Sequence, residues 1–212
     1  MVRDMTYPQA PWTLKGYGIQ TLQLVDVDRV RPLVPAELNI ISVLPGKTLG
    51  GIYLASYENG STLTYNELIV VSAIVHQRAN IGGWISHIYV DNSDSIAGGR
   101  SIWGLPKEYA EFTWNTQNTC SVSVQQNESL LCHLSFSWQL PGWNQSLLIP
   151  VFSTINSKLL TFNGQAGFKF HVVGSHLEIP KESPFSWLNL SNPMLSFYLN
   201  PLHLIANPPA LL

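Results

Sequence analysis

The chain has 212 residues, a formal net charge of −2 and only 11% charged side chains, against about 25% in an ordinary soluble domain. No run of Lys or Arg occurs, so the clustered cations that phosphate backbones demand are missing and nucleic acid is excluded as a partner. Two cysteines and six scattered histidines supply neither a disulfide scaffold nor paired metal-ligand spacing, and neither a metal nor another cofactor is expected.

The length fits one domain over residues 1–212, large enough to bury a core and an internal pocket. Seven Trp, eight Tyr and eight Phe beside so few charges predict surface hidden in a homo-oligomer, an apolar ligand cavity, or both. The longest apolar stretch, 68–75, is interrupted by Ser72 and is too short to span a bilayer. Met1-Val2-Arg3-Asp4 lacks the apolar core of a secretory signal, which predicts a cytoplasmic protein.

In chain order, residues 7–12 form a proline-broken entry segment and 17–25 a strand. Asp26 is placed to cap a short helix that runs through Val34 and stops before Pro35. Strands are predicted at 38–44 and 51–57, separated by Pro45-Gly46. The run 67–76 is apolar on both faces, so it is covered on both sides. Glu67 shares a face with Ile69, Val71, Ala73 and Val75, and a carboxylate there has to be paired, neutralised or placed at a pocket. A further strand is predicted at 84–91.

Residues 92–103 read as a helix, although Gly98-Gly99 weakens it by about 1 kcal/mol per glycine relative to alanine. It stops at Gly104-Leu105-Pro106, and a strand leaves from 107 to 114. Residues 119–125 and 130–138 alternate as a hairpin with one buried side. That pattern makes Cys120 and Cys132 cross-strand neighbours, expected as reduced thiols because bridging opposed strand positions is strained. Strand-like runs follow at 167–179 and 194–199. The sum is a mainly β (α+β) fold, an antiparallel barrel or cone of about ten strands with a few short helices.

Lys107 stands just after a helix, a glycine and a proline, at the start of a buried-type strand, with Trp103 and Leu105 before it. Burial penalises a lysine's ammonium form, and a neutral amine attacks carbonyls to give an imine, an electron sink. The plainer alternative is a surface lysine at a strand start. Arg100 reads chiefly as a tie from the helix end to a carboxylate or carbonyl. Tyr65, Trp84 and Trp103 suit the wall of an apolar site or ordinary core packing. His76, His87 and His133 read as satisfied strand histidines.

Tyr89-Val90-Asp91-Asn92, then Gly99-Arg100, then Pro106-Lys107 resembles the signature of the acetoacetate decarboxylases. Tyr65-Asn66-Glu67 resembles the family's Y-x-E, and Leu33-Val34-Pro35 also fits; the likeness runs from Tyr17 to at least Trp114. The resemblance implies that Lys107 forms a Schiff base with a 3-oxo acid and that Glu67 lines the active site. Acetoacetate decarboxylase is itself a standing example of a lysine activated by desolvation or a cationic neighbour. This chain departs from the pattern in three places. Glu108 replaces the family's second lysine. Lys15 stands where an N-terminal arginine is expected and is the substitute carboxylate anchor, with Arg78 a weaker candidate. The second acidic position falls near Ile52.

Over the first half the likeness is closer to the plant neoxanthin-deficient branch of the superfamily. It is carried by Pro11-Trp12-x-x-Lys15-Gly16, Thr48-Leu49-Gly50-Gly51, Asn66-Glu67-Leu68-Ile69-Val70 and Gly104-Leu105-Pro106. Two functions follow. In one, Lys107 and Glu67 carry imine chemistry on an oxo acid or ketone, with Lys15, Tyr65, Trp103 and Arg100 as substrate-binding residues. In the other, a non-catalytic barrel holds an apolar ligand such as a terpenoid or carotenoid. Strand alternation predicts that Lys107 points inward and Glu108 outward.

Overall fold

The computed structural model describes residues 7–116 and 120–212; the N-terminal Met1-Val2-Arg3-Asp4 and Thr119 lie outside the described residues. Among these, thirteen strands join one mixed sheet: β1 (Trp12–Asp26), β2 (Asn39–Ile40), β3 (Lys47–Tyr57), β4 (Tyr65–Gln77), β5 (Asn80–Val90), β6 (Lys107–Tyr109), β7 (Glu111–Asn115), β8 (Cys120–Gln126), β9 (Ser129–Gln139), β10 (Trp143–Ile155), β11 (Lys158–Glu178), β12 (Leu195–Ala206) and β13 (Ala210–Leu211). Two α-helices interrupt them, α1 (Val27–Val30) and α2 (Ser93–Trp103). None of the helices is long and apolar enough to cross a membrane, and no group of three or more His, Cys, Asp or Glu among the described residues is placed to hold a metal.

The pairing order β10-β5-β4-β3-β1-β12-β11 returns on itself because β10 also pairs with β11, so these seven strands close a ring. The far half of β11 leaves the ring to pair with β9, which continues through β8 to β7. Two cores result. The inner one gathers Trp12, Leu14, Ala55, Tyr57, Tyr65, Ile88, Val90 and Trp103 inside the ring. The outer one, between the ring and the second set of strands, gathers Leu54, Leu68, Val70, Val122, Cys132 and Leu134. β3 and β4 feed both cores, which is why 67–76 is apolar on both faces. The alternation slips at a bulge over 70–73, so Ile69 and Val71 keep the inner face with Glu67, but Ala73 and Val75 turn to the outer core instead of sharing its face as expected.

The pairing is not wholly antiparallel, since β5 runs parallel to β6 and to β10. α2 carries the chain back across the sheet, so β6 enters beside β5 in the same direction. The expected single strand 107–114 breaks at buried Ala110, whose N–H donates to the Val90 carbonyl. β6 stays with the ring and β7 crosses to the second set of strands. The expected strand 38–44 shrinks to Asn39–Ile40. Asp26 does not cap α1 with its side chain; it pairs instead with Lys47 (2.5 Å) and Arg29 (3.4 Å). Both cysteines are free, but Cys120 faces Phe136 and Cys132 faces Val124 across the ladder, so they are not cross-strand neighbours.

Candidate functional site

The site is built by the β5–α2–β6 unit against β3 and β4. Asn92 caps α2 by accepting from the Ser95 N–H (2.9 Å). Gly104 ends the helix in the left-handed region at φ 63°, where its N–H returns to the Arg100 carbonyl. A Cβ at Gly104 would also collide with the Thr154 carbonyl oxygen, so only glycine fits this exit. Two residues later Pro106 delivers Lys107 as the first residue of β6, opposite Ile88 of β5.

Lys107 therefore shares the inward face of Ile88, and Glu67 shares it through the register Glu67↔Val90 and Ala55↔Glu67. The Lys107 Nζ donates to Glu67 Oε1 (2.8 Å) and to Ser95 Oγ (2.9 Å). The Tyr57 hydroxyl donates to Glu67 Oε2 (3.1 Å) and lies 3.2 Å from the Tyr53 hydroxyl. The amine stands 4.9 Å from the Tyr65 ring centroid and 5.9 Å from that of Trp12. Lys107 is 3% and Glu67 4% exposed, and they are the only charged side chains buried among the described residues. Removing both from water is costly, and the pair survives because each charge has a partner and further hydrogen bonds. Burial pushes the Tyr57 and Tyr65 hydroxyls well above their ordinary range, and the nearby Glu67 carboxylate adds to it, so both stay protonated.

The glycine pair of α2 turns out to be a packing device. A Cβ on Gly99 would lie 2.6 Å from Lys107 Cδ and 2.8 Å from Cε. A Cβ on Gly98 would lie 2.5 Å from the Trp12 ring. The helix backbone thus rests directly on the lysine stem and on the ring beside it.

The structure brings together Lys107, Glu67 and Tyr65 from the sequence candidates. Trp103 lies in the inner core, edge-on to Trp12 at 4.8 Å, with its indole N–H donated to the Asn207 carbonyl (2.7 Å). Arg100 is exposed and uses Nε to hold the Lys107 carbonyl (2.8 Å), so it positions β6 through the backbone. Lys15 is the correction: it is exposed, because Trp12 and Leu14 take the inward face of β1 and the residue between Leu14 and Gly16 must point out. Ile52 packs in the outer core, leaving Tyr53 as the inward residue there. Glu108 is exposed and accepts from Gln126 Nε2 (3.1 Å), away from the amine. Sequence reasoning missed Ser95, Tyr57 and Tyr53. Ser95 was accessible to it, since a helix capped at Asn92 puts Ser95 and Gly99 on one face, one turn apart.

Comparison with known proteins follows the same lines. The acetoacetate decarboxylase family profile matches residues 4–173. Protein NEOXANTHIN-DEFICIENT 1 of Solanum lycopersicum is 31% identical over 110 residues, 52% of this chain and 37% of that protein. The acetoacetate decarboxylase of Burkholderia mallei is 30% identical over 99 residues, 43% of this chain and 35% of that protein. The chain thus spans little more than a third of the length of the curated relatives it matches. The crystal structure of the acetoacetate decarboxylase of Legionella pneumophila superposes with a TM-score of 0.77 at 16% identity, covering 98% of this chain and 89% of the other. The enduracididine biosynthesis enzyme MppR, complexed with pyruvate, gives 0.77 at 12% identity over 99% and 93%. These structural likenesses show the fold.

Proposed function

The chain belongs to the acetoacetate decarboxylase family, and from that membership we propose a lysine-imine lyase in which Lys107 condenses with the carbonyl of an oxo acid or ketone. The observation that carries this reading is the buried 2.8 Å contact between Lys107 Nζ and Glu67 Oε1. Moving one proton along it converts ammonium and carboxylate into amine and carboxylic acid, and the pair stays neutral overall. In an interior that penalises isolated charge, that exchange is the low-cost route to a nucleophilic amine.

The amine then attacks the carbonyl carbon, the carbonyl oxygen leaves as water, and the iminium draws electrons from a neighbouring C–C or C–H bond. Glu67 removes or returns the proton at the adjacent carbon, while Ser95 Oγ, 2.9 Å from the nitrogen, holds it in place. Tyr57 occupies Oε2 and leaves Oε1 free for the exchange. The pyruvate bound by MppR and the names of the decarboxylase relatives support carbonyl chemistry on this fold. Intact mass after borohydride reduction in the presence of oxo compounds tests the reading. The expected result is one adduct per chain that disappears in Lys107→Ala. No adduct with any carbonyl, or one that persists in the variant, removes it.

A second reading, a non-catalytic container for a terpenoid or carotenoid, is favoured by one observation: Tyr53, Ile69, Val71, Phe168, Phe170 and Phe197 pack on the inner core yet are only partly buried. In that case Lys107 is merely a polar group in an apolar pocket. The unbroken pairing path from β1 to β13 supports one domain over 1–212, and the sparse charge supports a homo-oligomer.

A further inference from the structure

We infer that the Lys107 site takes an uncharged aldehyde or ketone with an apolar body, and discriminates against oxo acids. The inference rests on the imine reading above and narrows its substrate class.

A substrate carboxylate inside the ring would need a cation. Among the described residues Lys107 is the one buried lysine or arginine, and its amine is already matched by Glu67 at 2.8 Å. Imine formation consumes even that charge's freedom to serve as an anchor, because the nitrogen becomes bonded to the carbonyl carbon. Two other cations are placed elsewhere: the exposed Lys15 lays its amine over Gly60 of the β3–β4 turn without lining the cavity there, and Arg100 is exposed with Nε on the Lys107 carbonyl. Lys169 lies between Phe168 and Phe170, on the opposite face of β11 from the ring interior.

The surroundings are also unfavourable to an anion. A cavity of about 540 Å³ at the β3–β4 turn is lined by Tyr57 and Tyr65, which touch Glu67 and Lys107, together with Glu58 and Asp91 and no lysine or arginine. Elsewhere on the inner core the partly buried residues are apolar or aromatic, with the Phe170 ring 6.4 Å from that of Phe168 and 5.6 Å from that of Phe197. A carboxylate carried there would be left unpaired beside Glu67, whereas a hydrocarbon or aryl body loses nothing.

The test uses a pair of ketones of the same shape and similar intrinsic reactivity, 4-oxopentanoate and 5-methylhexan-2-one, with 4-phenylbutan-2-one as the aromatic probe. In each case the Lys107 amine displaces the carbonyl oxygen as water. Borohydride then delivers hydride to the imine carbon, leaving a secondary amine heavier by the ketone less one oxygen. Intact mass and peptide mapping of the wild-type chain read the extent of labelling at Lys107, with Lys107→Ala as background. The expected result is labelling by both neutral ketones at least about tenfold above 4-oxopentanoate, the discrimination an unpaired buried charge imposes. Equal or stronger labelling by 4-oxopentanoate overturns the inference and leaves the imine reading standing. Labelling by none of the three overturns the imine reading itself.

Discussion

Lys107 donates a hydrogen bond to Glu67 in a place where both side chains are almost wholly withdrawn from water, so each is the condition for the other's burial. Removing one partner of such a pair costs about 3–5 kcal/mol, because the remaining charge is stranded, whereas replacing both by apolar groups of similar volume is near neutral or stabilising. Glu67→Leu is therefore expected to be strongly destabilised in urea unfolding, and Glu67→Leu combined with Lys107→Met to recover most of the loss. A double variant as unstable as the sum of its parts would show that the pair is not coupled. These two residues were legible in the sequence for the same physical reason: a lysine at the start of a buried-type strand and a carboxylate on an apolar strand face each demand an explanation. Tyr57 was not, because its approach to Glu67 depends on β3–β4 register, which no local pattern carries. Lys15 was visible as a cation, but its direction is decided by which parity of β1 the ring needs, and Trp12 and Leu14 claim the inside.

At the scale of the element, α2 sets the position of the lysine by contact with its stem. A methyl at residue 99 would meet Lys107 Cδ at 2.6 Å, and the stem has to move. Gly99→Ala is expected to raise intrinsic helix propensity by about 1 kcal/mol yet sharply reduce borohydride trapping at Lys107, with the circular dichroism of the wild type retained. Gly167→Ala serves as the control, since its Cβ would meet only Ser146 Oγ at 3.9 Å. Unchanged trapping in Gly99→Ala would show that the helix does not position the amine. Asn92→Ala removes the cap accepted from Ser95 and is expected to cost about 1 kcal/mol of stability. The helix and its cap were readable from Asn92 and the Gly104-Leu105-Pro106 exit. The role of the double glycine was not: propensity treats glycine as a defect, and only the packing of Trp12 and Lys107 against it shows why a side chain is excluded. β10 was missed for another reason. Its first half is exposed on both faces, so no alternation marks it as a strand.

At the scale of the molecule, the sequence pattern carried the β-rich class but not the closure of the ring, because closure rests on β10 meeting β5 at only Val151 and Phe152. The outer core has a pH consequence. Burial pushes the Cys120 and Cys132 thiols from 9.0 up to about 11 and about 12, and the Tyr89 hydroxyl from 10.0 up to about 12. Above pH 9 the unfolded chain loses protons that the folded chain keeps. This stability is therefore fully present below pH 9 and declines as pH rises toward 12. Thermal melts across that window are expected to fall steadily, less steeply in Cys132→Ala; a flat profile would contradict the burial of these groups. The exposed end of β10 leads to the last expectation. Trp143, Leu147, Leu148 and Ile149 are 50%, 53%, 58% and 42% exposed. β11 pairs with this stretch along one edge, while β5 reaches only the two residues beyond it, so residues 143–150 offer a second edge unpaired among the described strands, apolar at Trp143 and at 147–149. Such an edge is a template for another strand unless it is covered. A second copy presenting the same edge satisfies both with one two-fold operation, pairing β10 with its partner's β10 in antiparallel fashion. Light scattering is expected to find a homo-oligomer at micromolar concentration, and Leu148→Lys to shift it toward the monomer by placing a charge on that apolar face. A wild-type chain that stays strictly monomeric across that range would remove the proposed contact.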